Sequence, residues 1–217
     1  MIYSIPGFFE PVSSWTHLAG AGLFVFLGWQ LLREATHGRI FLWIYSVSVV
    51  LLFAVSGTYH LLGPGGGREV LLRIDNSAIF ILIVGTMTPI HGMMYRGLQC
   101  WIPLGLIWSA AVIFISLLCV FYGTIPRLAW TSLQLGLGWC GIIIGIHLGL
   151  KHGWKFVRLL AIGGVIYTIG ALINVMARPT IIPGVIGPHE CFHIAVLIGA
   201  WYHWRFVYSE VRVVEES

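Results

Sequence analysis

The sequence predicts an all-α polytopic membrane protein, a bundle of seven transmembrane helices forming one domain over residues 1–217. Of the 217 residues, 58% are hydrophobic and 9% are charged, and the mean hydropathy is +0.91. A soluble domain carries roughly 25% charged residues, so lipid must cover most of this surface. Apolar stretches of about 20 residues, enough to cross about 30 Å of hydrocarbon, recur along the chain.

Seven stretches have the length and composition of a spanning helix. They are Ser14–Leu32, Phe41–Leu62, Asp75–Met93, Trp101–Tyr122, Leu128–Leu150, Phe156–Ala177 and Pro188–Tyr208. The segments between them are short, and several are dominated by glycine and proline, which favour tight turns between helices. Glycines inside the stretches are typical of closely packed membrane helices. No spacer is long enough for a second domain.

Charge and cysteine usage exclude some classes of protein. The twelve basic residues give a formal charge of +4 but are spread over many loops, so nucleic-acid binding has no support. The four cysteines show no C-x-x-C spacing, and we interpret them as small core residues.

The N-terminal residues lack the basic segment of a cleavable signal peptide, so we expect the first apolar stretch to remain in the mature protein.

Five polar residues are predicted to lie at one depth near one membrane face. Ser56 and His60 are four residues apart at the end of the second stretch, Asp75 opens the third, and His189 and His193 are four apart at the start of the seventh. Residues four apart share a helix face. The second helix ends on the side where the third and seventh begin. Polar groups inside a membrane are costly, and such a convergence indicates a functional site.

The residue types in this set indicate a catalytic metal site. Three neutral imidazoles, from His60, His189 and His193, bind Zn²⁺ and leave a fourth position open, as in catalytic zinc sites. Asp75 could accept a proton from a zinc-bound water or hold that water by a hydrogen bond. Ser56 could orient His60 or donate to a developing oxyanion.

Each of these residues also has a simpler interpretation. A histidine in a span often hydrogen-bonds only a backbone carbonyl. Asp75 could cap the N-terminus of the third helix, where aspartate is favoured. Ser56 could bond back to its own helix. We give less weight to these alternatives because the five residues converge from three distant segments.

The seventh stretch also matches H-E-x-x-H, the zinc-protease pattern in which Glu190 would be the general base. Such a site needs a third ligand further along the chain. The rest of the helix offers only His203, about 15 Å away along the axis. His60 is the better third ligand, so a membrane metalloprotease is the weaker hypothesis and Glu190 is expected to face the loop or a neighbouring helix.

At these residues the sequence resembles the hemolysin III family, the bacterial branch of the progestin and adiponectin receptor family, which belongs with the alkaline ceramidases in a wider superfamily of membrane hydrolases. Their shared pattern is S-x-x-x-H in the second span, Asp in the third and H-x-x-x-H in the seventh. Further matching blocks are Trp15-Thr-His17, Asp75–Phe80, Gly85–Pro89 and Gly163–Gly170. The resemblance implies zinc on the three histidines, a water between zinc and Asp75, and hydrolysis of a lipid amide or ester.

The residues and the resemblance therefore leave three alternative functions. The leading one is a zinc-dependent hydrolase that takes a lipid substrate from the bilayer. The second is a receptor-like or regulatory membrane protein in which zinc braces the helices, and direct ligation by Asp75 would favour it. The third is a membrane-damaging cytolysin, which rests on the family label because the sequence offers neither a ring of charges nor an amphipathic pore-lining helix. His17 and His203 are expected to be structural rather than ligands.

The resemblance and the loop charges disagree on orientation. The family pattern implies a bacterial inner (plasma) membrane protein with its N-terminus and zinc site on the cytoplasmic side. The site side has Arg68, Arg73, Arg127 and Arg178; the opposite side has Arg33, Arg39, Arg96, Lys151, Lys155, Arg158, Arg205 and Arg212. Basic loops favour the cytoplasm, so this distribution predicts the reverse orientation. We follow the family.

Overall fold

A computed structural model describes residues 3–216, with side chains described as far as Val211. Its helices are α1 (Pro11–Glu34), α2 (Arg39–Leu61), α3 (Gly66–Met94), α4 (Leu98–Phe121), α5 (Arg127–Trp139), α6 (Gly141–His152), α7 (Arg158–Met176) and α8 (Pro188–Glu216). The described residues form no β-strand beyond two isolated bridges. The predicted all-α fold is confirmed. Arg212 was counted among the basic residues on the side opposite the site, and its side chain lies outside the described residues.

The helix boundaries follow from local sequence. α1 and α8 both begin at a proline, whose fixed φ and missing N–H suit the first helical position. The fifth predicted span is divided at Cys140, between Gly138 and Gly141, into α5 and α6. Glycine weakens a helix and allows such a break.

The third helix departs from the prediction. α3 begins at Gly66, so the glycine-rich spacer before Asp75 contributes its first residues to the helix. The prediction that Asp75 opens the helix is wrong by about two and a half turns. Capping of the helix N-terminus therefore does not explain Asp75.

Six helical segments are long and apolar enough to cross a membrane, with α5 and α6 together forming one of them. α8 is longer than most of the others but more polar. Its histidine and charged residues are His189, Glu190, His193, His203, Arg205, Glu210, Arg212, Glu215 and Glu216. It packs against α1 and α7 within the bundle and completes the seven-helix arrangement. The chain is an integral membrane protein.

The helices form a ring in the order α1, α2, α3, α5, α7, α8, with α4 packed outside α3. Close approaches at glycine bring the inner helices together. At Gly57 of α2 the backbone lies against Leu18 of α1, and Ser14 Oγ donates to the Gly57 carbonyl at 2.9 Å. At Gly85 of α3 the backbone lies against Ser48 of α2. These contacts set the spacing of the helices that carry the site.

The cysteines do not all pack in the core as predicted. Cys100 is buried and Cys191 is partly buried, but Cys119 and Cys140 are exposed on the outer surface. All four are free thiols. Cysteine is apolar enough for a surface that faces lipid, so membrane helices place no strong requirement on its burial.

Candidate metal centre

Three histidine rings meet at one end of the bundle. His60 is in the last turn of α2, and His189 and His193 are in the first two turns of α8. His189 Nε2 lies 3.3 Å from His60 Nε2 and 3.1 Å from His193 Nε2. The three ligand atoms lie within 4.8 Å of one another, and His60 and His193 are buried. The predicted convergence of these histidines is confirmed.

The Nδ1 nitrogens of two of the three rings face oxygen atoms. Nδ1 of His60 hydrogen-bonds the Glu10 carboxylate, and Nδ1 of His189 lies 3.3 Å from Asn174 Oδ1. Nδ1 of His193 is buried without a hydrogen-bond partner among the described residues. Metal-binding histidines usually donate their second N–H to such oxygens, which fixes the ring and its tautomer.

These partners determine whether the Nε2 atoms, which face one another, can bind a metal ion. A carboxylate accepts the Nδ1 proton of His60, so Nε2 of that neutral ring presents a lone pair. The Asn174 amide oxygen has the same effect on His189. Two lone pairs about 3 Å apart repel each other unless a cation or a proton lies between them. The donor set of three imidazoles fits a metal ion such as zinc, with a fourth position left open.

Glu10 is the main residue that sequence reasoning missed. It lies directly before α1, and Arg68 Nη2 donates to its second oxygen at 2.5 Å. Burial by itself would raise the pKa of Glu10, but the hydrogen bond from His60 and the positive charge of Arg68 lower it. The carboxylate is therefore ionised. The available signal was the Glu10-Pro11 pair, an acid at the start of the first helix on the site side.

Asp75 and Ser56 lie beside the histidines. Ser56 is buried one turn before His60, and Asp75 of α3 interacts with the Ser56 hydroxyl and with His60. Asp75 is not among the residues whose ligand atoms meet within 4.8 Å. The structure thus brings Asp75 and Ser56 to the site but not into the ligand cluster, and their catalytic roles stay predictions.

The remaining candidate histidines lie outside the ligand cluster. His17 of α1 is buried and stacks on His193, with ring centroids 3.8 Å apart and planes at 17°. His203 Nε2 lies 3.2 Å from the Leu160 carbonyl of α7. His17 therefore packs against a ligand, whereas His203 ties α8 to α7.

Glu190 hydrogen-bonds α1 and the residue before α8. Its side chain is 1% exposed, accepts a hydrogen bond from Ser13 Oγ at 2.9 Å, and accepts another from the Gly187 N–H at 2.9 Å. One oxygen therefore joins the start of α8 to α1, and the other holds the residue directly before α8. This agrees with the prediction that Glu190 faces the loop or a neighbouring helix.

Comparison with known proteins places this chain in a family. Residues 8–204 match the model of the Haemolysin-III related family. The chain belongs to this family. The matched range contains all three clustered histidines and also Glu10, Ser56 and Asp75.

Two kinds of relative illustrate the range of the family. Hemolysin-3 of Bacillus cereus is 30% identical over 159 residues, covering 72% of this chain and 68% of that protein. The Hemolysin-3 homolog of Bacillus subtilis is 30% identical over 135 residues, covering 62% and 63%. Heptahelical transmembrane protein 4 of Arabidopsis thaliana is 31% identical over 179 residues, covering 74% of this chain and 46% of that protein.

Proposed function

We propose that the protein is a zinc-dependent integral membrane hydrolase that cleaves a lipid amide or ester bond, as its resemblance to the ceramidase superfamily implies. The observation that carries the proposal is the meeting of three imidazole Nε2 atoms, with a carboxylate beside them but outside the ligand cluster. When bound, zinc supplies a Lewis acid that polarises a carbonyl and activates water. A structural site would instead close its fourth position with a protein ligand.

The residues divide into metal ligands and residues that position or deprotonate the attacking water. His60, His189 and His193 would hold the metal through Nε2. Asp75 would accept the proton of the attacking water or hold that water in place, since it is the nearby carboxylate that the ligand cluster leaves free. Ser56 would orient the Asp75 carboxylate, with which its hydroxyl interacts.

The position of the site suits a substrate from the bilayer. His60 is one residue before the end of α2, and His189 is the second residue of α8, so the cluster lies just inside one end of the bundle. A lipid could place its amide or ester at this depth while its chains remain among the apolar outer faces. We further propose a bacterial inner membrane with the site on the cytoplasmic side. A reporter fused after the last helix tests this, since seven spans put the C-terminus on the opposite, periplasmic side.

The first experiment measures metal content and hydrolysis with one set of detergent-purified proteins. Wild type is compared with His60→Ala, and His152→Ala is the matched control because that histidine is exposed at the far end of α6. We expect about one zinc per wild-type and control chain and a loss in His60→Ala. A panel of lipid amides and esters then tests turnover.

Asp75→Asn separates the enzyme from the alternatives. The proposal expects this variant to keep its zinc and lose turnover by about 10²–10⁴-fold, the contribution of a positioned general base. Zinc in the wild type without turnover on any lipid would favour the receptor-like protein with a structural zinc. Wild-type protein that takes up no metal after loading would refute the zinc site itself.

A further inference from the structure

The geometry points to Glu10 and Arg68 as a pair of positioning residues that hold His60 in its metal-binding orientation. This inference rests on the proposed metal site. It concerns how one ligand is fixed, which neither the family match nor the three-histidine cluster specifies.

Glu10 is joined to His60 by both side chain and backbone. Its Oε2 accepts the hydrogen bond from His60 Nδ1, and its backbone N–H donates to the His60 carbonyl at 3.0 Å. The neighbouring Phe9 N–H donates to the Leu61 carbonyl at 3.2 Å. The residues before α1 are therefore held against the end of α2, and the carboxylate cannot move independently of the imidazole.

Arg68 holds the other oxygen of Glu10 from the first turn of α3. Its guanidinium lies over the rings of Phe9 and Tyr59, with Cζ 4.6 Å and 4.3 Å from their centroids. It also donates to the carbonyls of Tyr59, at 3.1 Å, and Leu62. The side chain is only 13% exposed. An arginine restrained by two rings, two carbonyls and a carboxylate is part of the site and not a mobile surface charge.

His60 is the most firmly oriented of the three ligands for this reason. His189 faces a neutral amide oxygen at 3.3 Å, and His193 has no aligned partner for Nδ1. A carboxylate held by Arg68 accepts a stronger, charge-assisted hydrogen bond than either. Glu10 and Arg68 thus hold the Nε2 lone pair of His60 at a fixed position. The metal and the two α8 histidines assemble around that position.

The test measures zinc affinity by chelator competition and the visible spectrum of the Co²⁺-substituted protein, both in full-length protein in detergent. Loss of a carboxylate behind a metal-binding histidine typically lowers affinity about 10–100-fold. We expect that loss in Glu10→Ala, a smaller loss in Arg68→Met, and altered Co²⁺ absorption in both. The matched control is Glu34→Ala, which removes a carboxylate at the opposite end of α1 that accepts a hydrogen bond from Tyr208.

A double-mutant cycle distinguishes positioning from general stability. The double variant combines Glu10→Ala with Arg68→Met. If Arg68 acts through Glu10, the double variant binds zinc no more weakly than Glu10→Ala alone. If the two residues act independently, their losses of binding free energy add. Glu10→Gln keeps the shape and one acceptor oxygen, so it should retain folding and show an intermediate affinity. Arg68→Lys should recover part of the loss of Arg68→Met.

The outcomes separate this inference from the proposed function. Unchanged zinc affinity and Co²⁺ spectrum in both Glu10 variants, with normal zinc in the wild type, would overturn the inference and leave the hydrolase standing. Additive losses would overturn the link between Arg68 and Glu10. Zinc binding with the expected losses but without lipid turnover would support the inference and count against the hydrolase. A wild type that takes up no metal would overturn both.

Discussion

Replacing Glu190 tests whether this carboxylate holds the start of α8 or takes part in chemistry. Two hydrogen bonds end on it, a buried one from Ser13 Oγ and a partly buried one from the Gly187 N–H, each at 2.9 Å. A hydrogen bond to a charged group contributes roughly 1.5–3 kcal/mol. Losing both costs about 3–6 kcal/mol, and relief of the desolvation of a buried carboxylate offsets part of this. We expect Glu190→Ala to lose about 2–4 kcal/mol of unfolding free energy and Glu190→Gln about half as much.

The assay is reversible unfolding in detergent, followed by helical circular dichroism, with zinc content measured on the same samples. For a chain of this length each kcal/mol shifts the midpoint by roughly 2–4 °C. Glu69→Ala is the control, because Glu69 is exposed in the first turn of α3. Ser13→Ala should lose part of the same free energy, and its effect should not add fully to that of Glu190→Ala because they share a bond.

The opposite result would refute this reasoning. If Glu190→Gln unfolds like the wild type and keeps its zinc but loses all turnover, the carboxylate acts on the substrate. The H-E-x-x-H metalloprotease interpretation would then replace the structural one. Loss of stability with zinc binding retained would confirm that Glu190 joins α8 to α1.

Two further predictions concern the packing that surrounds the site. Gly57→Ala should destabilise the protein by about 1–3 kcal/mol, because a Cβ there would lie 2.9 Å from the Leu18 backbone nitrogen, whereas Gly22→Ala has open space and should unfold like the wild type. His203→Ala should lower the unfolding midpoint by removing the contact with the Leu160 carbonyl but leave zinc stoichiometry unchanged. A loss of zinc from the folded variant would contradict the purely structural role of His203.

Much of the ligand site was predictable because membrane helices limit the possible arrangements. Each span reverses direction, so the side on which a residue lies follows from counting. The four-residue spacing of His189 and His193 then puts both rings on one helix face. Two facts in the sequence, parity and spacing, were enough to bring His60 and the α8 pair together.

The supporting residues were not predictable in the same way. Glu10 precedes the first helix, and the glycine-rich spacer that contains Arg68 was expected to be a loop. Outside a helix the sequence does not predict which way a side chain points, so neither residue could be placed at the site. Glu10 and His60 are separated by 50 residues, and Arg68 by a further eight from His60. Only the packing of α1 against α2 and the early start of α3 place the three side chains in contact.

The sequence by itself determined the class of fold, the helix order and the three metal-binding candidates, because apolar length and helical periodicity are local properties of the chain. The tertiary structure decided which oxygens face His60 and His189, that Asp75 lies beside the ligand cluster and not within it, and that Glu190 hydrogen-bonds α1. These depend on how closely the helices approach at residues such as Gly57, and on rotations about their axes. Sequence spacing leaves both undetermined, since each follows from the fit of side chains on separate helices.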